Sequence, residues 1–299
     1  MALRMENVTK RFGTKTAVDQ LTLHIDSGEM FGMLGANGAG KTTTFRMMIG
    51  LFDPDDGEVS WNEVPPQSLN ARTIGYLPEE RGLYPKLKVM EQMIYLGRLR
   101  GLSKQDAITE VDAWLERFRI PHYRKAKVEN LSKGNQQKIQ FIAAVLHRPQ
   151  LLILDEPFSG LDPINVDVLK KAVGKLKNEG TTIIFSSHDM KHVESLCENL
   201  CIMNEGKPVV HGKLSDIKRT YKKRKLHIRA DVPLSFLEDV DGVLQMSVGA
   251  DETTIAIRDE TVAKNIFARL QDIGHVRYFS VEEPTLHDIF IEKVGRTYA

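Results

Sequence analysis

Apolar and polar positions follow two distinct periods along this chain. Leu21, Leu23 and Ile25 alternate with Thr22 and His24, the period-two pattern of a strand with one buried face. Met30–Leu34, Leu151–Leu154 and Thr182–Ser186 are short apolar runs, as in strands covered on both faces. Between such runs the period changes. Ile108, Val111, Leu115 and Phe118, and later Leu169, Val173 and Leu176, recur at the three-to-four spacing of helices. Strands alternating with helices over residues 1–220 predict an α/β domain. From Tyr84 to Asn130 the strand pattern disappears and helical spacing takes over. Residues 84–135 therefore read as a helical insertion, with a break at Pro121.

Around Lys218, Arg219, Lys222, Lys223, Arg224 and Lys225 the chain turns basic, which reads as a solvated linker between domains. Beyond it, residues 224–299 predict a small α+β domain. Strands are expected at Leu226–Ala230, Val243–Val248, Thr254–Ile257 and Val276–Val281. A helix carries Val262, Ile266 and Leu270 on one face. Thr285 and Asp288 have the spacing of a capping box opening a last helix.

Composition narrows the function classes. The 299 residues carry 41 Lys plus Arg against 40 Asp plus Glu, a formal charge of +1. That balance argues against a protein held to nucleic acid by bulk charge. No apolar run reaches the roughly 18–20 residues that cross a bilayer, and the opening residues lack an apolar leader core. A cytoplasmic location is expected. The two cysteines, Cys197 and Cys201, read as reduced, partly buried thiols rather than a disulfide or zinc framework.

Two motifs carry chemistry. Gly35-Ala36-Asn37-Gly38-Ala39-Gly40-Lys41-Thr42 fits G-x-x-x-x-G-K-[ST], follows the apolar run Met30–Leu34 and opens a helix. Glycines let several N–H groups converge on one anion, and the helix start adds partial positive charge. Lys41 is placed to reach the β- and γ-phosphates, and the Thr42 hydroxyl to ligate Mg2+. The chain is therefore expected to be a P-loop NTPase. Downstream, Leu151–Leu154 ends in Asp155 and Glu156. Asp155 is the candidate to hold Mg2+, and Glu156 the candidate to polarise the attacking water.

The ordered motif set resembles the nucleotide-binding subunits of ABC transporters over residues 3–215. Leu131-Ser132-Lys133-Gly134-Asn135-Gln136-Gln137 is similar to the family signature, Ser159-Gly160-Leu161-Asp162 to the D-loop, and His188 to the switch histidine. Phe12 is similar to the aromatic residue that stacks on adenine. A finer resemblance is to exporter ATPases of the sodium-extrusion type, the NatA/YhaQ-like group. It rests on Tyr76-Leu77-Pro78-Glu79-Glu80-Arg81-Gly82-Leu83-Tyr84, the small C-terminal domain and Pro284–Phe290. The resemblance implies ATP bound by Phe12, the loop Gly35–Thr42 and Thr43, with Ser132, Gly134 and Asp162 completing the site of a partner copy. It implies Mg2+ held by Thr42, Asp155 and Glu79, and hydrolysis served by Lys41, Glu156 and His188. It further implies a homodimer or paralogous heterodimer, an integral membrane subunit on a separate chain, and a place on the inner face of the cell membrane.

Two departures stand out. Glu79 occupies the position where the family usually has Gln, and Lys133 and Asn135 replace a glycine and a glutamine of the signature. Two other classes are weighed against the motor reading. A soluble ATPase of this type acting on ribosomes or DNA fits poorly with one P-loop and no sustained heptads. A regulatory module that binds ATP without turnover fits poorly with intact Lys41, Asp155, Glu156 and His188.

Overall fold

The computed structural model describes residues 2–80, 82–249, 251–271 and 275–295. Arg81, part of the segment Tyr76–Tyr84 noted above, lies outside the described residues. The chain divides into two compact units, Met1–Gly212 and Lys213–Ala299.

The first unit opens with β1 (Ala2–Phe12), β2 (Lys15–Asp26), β3 (Met30–Leu34), α1 (Lys41–Met48), β4 (Asp56–Trp61) and β5 (Ile74–Leu77). Three helices follow: α2 (Val89–Leu99), α3 (Lys104–Arg117) and α4 (Lys133–Val145), with short 3-10 turns at Pro121–Lys125 and Val128–Asn130. The unit closes with β6 (Leu151–Leu154), α5 (Pro163–Asn178), β7 (Thr182–Ser187), α6 (Met190–Leu196), β8 (Asn199–Asn204) and β9 (Lys207–Lys213).

Two sheets organise these elements. The larger has the order β5-β6-β7-β3-β8-β9, and the pairs from β5 through β8 are parallel. Every residue of β3, β6 and β7 is buried, which is why their sequences are continuous apolar runs rather than alternations. The smaller sheet, β2-β1-β4, is antiparallel. There β2 alternates because only one face meets the core. Strand β3 passes under α6 at Gly32, where an added Cβ would fall 2.5 Å from Val193 Cγ1. Both cysteines are buried, and burial raises their thiols, Cys201 to about 12. In the helical stretch, Phe141 sits edge-on to Trp114 and Phe118, which are tilted against each other, with ring centroids 5.5–5.9 Å apart.

The second unit contains α7 (Leu214–Thr220), β10 (Arg224–Ala230), β11 (Val243–Val248), β12 (Thr253–Ile257), α8 (Glu260–Leu270), β13 (Val276–Glu282) and α9 (Leu286–Val294). Its strands pair antiparallel in the order β11-β12-β10-β13. Leu226 and Ile228, with Ile255 and Ile257, pack against Val262, Ile266 and Leu270 of α8. Thr285 and Asp288 form a reciprocal capping box at the start of α9.

The basic run is not a linker. Residues 214–220 are helical, and Arg224 and Lys225 open β10. Three members of the run meet opposite charges: Lys223 on Glu292 (2.6 Å), Arg224 on Glu260 (3.2 Å) and Lys225 on Asp288 (2.7 Å). The units accordingly part at residues 212/213, ahead of the basic run.

His227 on β10 lies between two carboxylates, with Nδ1 2.8 Å from Glu252 and Nε2 2.9 Å from Glu282. Carboxylates only accept, so the two bonds are made together only by the imidazolium, in which both ring nitrogens donate. Burial opposes that charge, but the two bonds outweigh it and hold the pKa above its ordinary value. Stability from this triad is therefore full below the unfolded imidazole pKa of about 6.5 and is lost as pH rises through the raised folded value. In urea unfolding at a series of pH values, the gap between wild type and His227→Gln should shrink from acid toward alkaline pH. A constant gap would refute the assignment.

Candidate active site

The loop between β3 and α1 is shaped by three glycines in left-handed or similarly restricted backbone. Gly35, Gly38 and Gly40 have φ of 156°, 83° and 104°. A Cβ on Gly35 would fall 2.6 Å from the Met203 carbonyl, and one on Gly40 would collide with the Ala17 carbonyl. The tightest contacts that force glycine thus come from β2 and β8, with Ala39 of the loop adding a third against Gly35. Gly40 is the N-cap of α1 and supplies no side-chain acceptor. The N–H groups of Lys41, Thr42 and Thr43, in the first turn, have no partner within the helix, the arrangement that suits an anion. Lys41 is only 7% exposed, and its ammonium donates to the carbonyls of Gly35 (2.7 Å) and Ala36 (3.2 Å). The charge is thereby held over the loop.

From Thr42 a chain of hydrogen bonds crosses the ends of three strands. Thr42 Oγ1 donates to Asp155 Oδ2 (2.8 Å), and Ser186 Oγ donates to Asp155 Oδ1 (2.6 Å). The Glu156 N–H donates to Ser186 Oγ (2.8 Å). Glu156 Oε2 then meets His188 Nδ1 at 2.8 Å and accepts the His188 N–H at 3.3 Å. Asp155 is fully buried and Glu156 nearly so, while the His188 side chain is 65% exposed. Glu156 holds its place at φ +49°, a strained backbone for a non-glycine residue. Tyr76, next to this cluster, is pushed up to about 12 by burial and then by the charge of Asp155, against Arg46. It stays a neutral phenol.

The other residues expected at the site stand apart from this bonded chain. Ser132 is the exposed N-cap of α4 and accepts the Asn135 N–H at 3.3 Å. Gly134 lies against the D-loop helix, since an added Cβ would fall 2.8 Å from Asn165 Nδ2. Asn165 in turn donates to Asp162, the N-cap of α5, through backbone (3.0 Å) and side chain (2.5 Å). Ser132, Gly134, Asn165 and Asp162 thus make a second constellation across the starts of two helices. Phe12 is 47% exposed and sits edge-on to Phe52 at 5.6 Å. Glu79 is exposed on the loop after β5. Gln140 pins that loop by donating to the Pro78 and Glu80 carbonyls, both at 3.0 Å.

Sequence reasoning missed Ser186, which it read only as the end of an apolar strand, and Gln140. Neither lies in a local motif. Their partners are 31 and about 60 residues away in sequence.

This arrangement is built for a polyphosphate. N–H groups at a helix start and a lysine suit an anion, two hard oxygen donors lie beside them, and a carboxylate bonded to an imidazole lies at the strand end.

Known proteins agree with the geometry. Residues 18–159 match the family described as ABC transporter, and residues 212–294 match the C-terminal domain of ATP-binding proteins like DrrA1-3. The chain is 58% identical to the ABC transporter ATP-binding protein YhaQ of Bacillus subtilis over 296 residues, 99% of each chain. It is 31% identical to the Nod factor export ATP-binding protein I of Paraburkholderia xenovorans over 99% of this chain and 97% of that one. A solved structure of an ATP-binding subunit of an ABC transporter superposes with a TM-score of 0.69 at 30% identity, over 74% of this chain and 93% of that one.

Gly40→Ala places a methyl against the Ala17 carbonyl in a backbone that disfavours it. Affinity for a fluorescent ATP analogue should fall at least about ten-fold, which corresponds to roughly 1.4 kcal/mol. Retained affinity would show that the loop tolerates a different path.

Proposed function

We infer that this chain, which belongs to the ABC transporter ATP-binding family and is the ATP-hydrolysing motor of a membrane transporter, works as a head-to-tail pair with Mg2+ on an exporter. The observation that carries the site assignment is the hydrogen-bonded chain from Thr42 through Asp155 and Ser186 to Glu156 and His188.

The residues fit a magnesium ion. Thr42 and Asp155 bring two oxygens together at 2.8 Å, the hard donors that Mg2+ prefers, and Glu79 is a second carboxylate on the adjoining loop. When bound, the ion neutralises charge on the phosphate oxygens. The chain's own groups do the rest. Lys41 and the N–H groups at the start of α1 hold the β- and γ-phosphates. Glu156 accepts the proton of the attacking water. His188 engages Glu156 Oε2, which leaves Oε1 to face that water. Its exposed ring is the group assigned to sense the γ-phosphate.

The second constellation supports pairing. The Ser132 hydroxyl, the close-approach backbone at Gly134 and Asp162 stand at exposed helix starts, suited to meet the phosphate held by another copy. No described helix is long and apolar enough to cross a membrane, so passage of cargo belongs to a separate integral membrane chain. Tyr84, Leu87, Tyr95 and Leu99 are exposed along the helical stretch and provide an apolar landing for it. That chain would hold the motor on the inner face of the cell membrane. The export direction is supported by the relative that serves Nod factor export.

Glu156→Gln keeps the side chain's shape and removes its basicity. With ATP and Mg2+ this variant should accumulate as a dimer in size-exclusion chromatography, with turnover below about one hundredth of wild type. Full turnover would refute the role of Glu156. A monomer with bound, unhydrolysed ATP would refute the pairing.

A further inference from the structure

The order β5-β6-β7-β3 sets β7 between the strand that ends in Asp155 and the strand that leads into the glycine loop. Thr42 and Asp155 therefore meet across the end of β7. In register, Phe185 lies opposite Leu154 and Ser186 opposite Met33, which brings Ser186 level with Asp155. Ser186 is 0% exposed. Its one hydroxyl makes two bonds of opposite sense, donating to Asp155 Oδ1 (2.6 Å) and accepting from the Glu156 N–H (2.8 Å). The other Asp155 oxygen takes Thr42. The neighbouring Ser187 is occupied differently, accepting the Asp189 N–H (3.0 Å) and donating to the Asp189 carbonyl (3.1 Å).

We propose that Ser186 is a positioning residue of the hydrolytic site, tying the direction of the Asp155 carboxylate to the peptide that carries Glu156. The inference rests on the roles given to Asp155 and Glu156 above. The Asp155 carboxylate has two donors, one on each oxygen, so its plane is fixed while lone pairs remain for a metal and its waters. The Glu156 peptide sits at φ +49°, and its N–H bond to Ser186 holds that unfavourable orientation. The oxygen that orders the metal and the carboxylate that activates water consequently keep a constant separation. Without the hydroxyl, Asp155 Oδ1 and the Glu156 N–H both lose a buried partner.

The test compares wild type, Ser186→Ala and Ser186→Cys, with Asp155→Asn and Glu156→Gln as controls. ATP turnover is measured against free Mg2+, and nucleotide affinity is measured in EDTA. Ser186→Ala should raise the half-saturating Mg2+ about ten-fold or lower kcat by about 10–100-fold, the usual effect of removing a partner of a metal ligand. Its metal-free nucleotide affinity should stay near wild type, while its thermal midpoint should fall by a few degrees, since two buried groups lose a partner. Ser186→Cys keeps the volume with a weak donor and should fall between the two. The proposal is overturned if both variants stay within about two-fold of wild type in kcat and Mg2+ requirement. It is equally overturned if metal-free nucleotide affinity falls in step with turnover. Wild-type turnover by Asp155→Asn would instead remove the underlying site assignment, so the two failures read differently.

Discussion

The uncapped start of α1 is the constraint from which the rest of the first unit follows. A helix start without a side-chain cap leaves its first N–H groups to water or to an anion, and an anion needs room for backbone to approach it closely. Room comes from Gly35 and Gly40, which are pressed against Met203 and Ala17. Those contacts fix where β8 and β2 must run. The counter-charges must then arrive at the same level, and parallel strands deliver them. β3, β7 and β6 end side by side, so the loop, His188 and the pair Asp155–Glu156 converge without any long connection crossing the site. The buried apolar runs beneath provide a rigid platform, and polar residues appear only where the strands stop.

Much of this was legible because the decisive signals are local. The glycine loop, the acid pair after Leu154 and the capping box at Thr285 each lie within a few residues, so spacing alone places them. What escaped is non-local. Strands β1 and β4 carry little alternation, because β1 holds Asn7 at φ +50° and its pairing slips register between Met5, Val8 and Lys10. Ser186 looks like the fraying end of a strand until β6 is laid beside it. The basic run at 218–225 looked like a linker because its partners Glu260, Asp288 and Glu292 come far later in the chain. Charge counted along a sequence says nothing about the charge folded against it.

The second constellation shows a different economy. Ser132 and Asp162 each spend their side chains on the start of their own helix. Gly134 and Asn165 then lock those two starts together. A surface prepared in this way is stiff before any partner arrives, which lowers the entropy lost on association. The departures at Lys133 and Asn135 fall on this surface: Lys133 is exposed, and Asn135 contributes the N–H that Ser132 receives. They leave the cap intact and alter only what the helix start presents outward.

Glu156 has a further consequence, for mutation and selection. Its left-handed backbone costs about 1 kcal/mol for a residue with a Cβ, and glycine or asparagine would adopt it readily. The position therefore favours residues that relieve the strain and delete the acid in one step. On the role proposed for Glu156, the need for turnover opposes a drift toward a tougher, inert chain. A lineage freed from hydrolysis would be expected to lose its glutamate at this position early, and to gain stability as it did so.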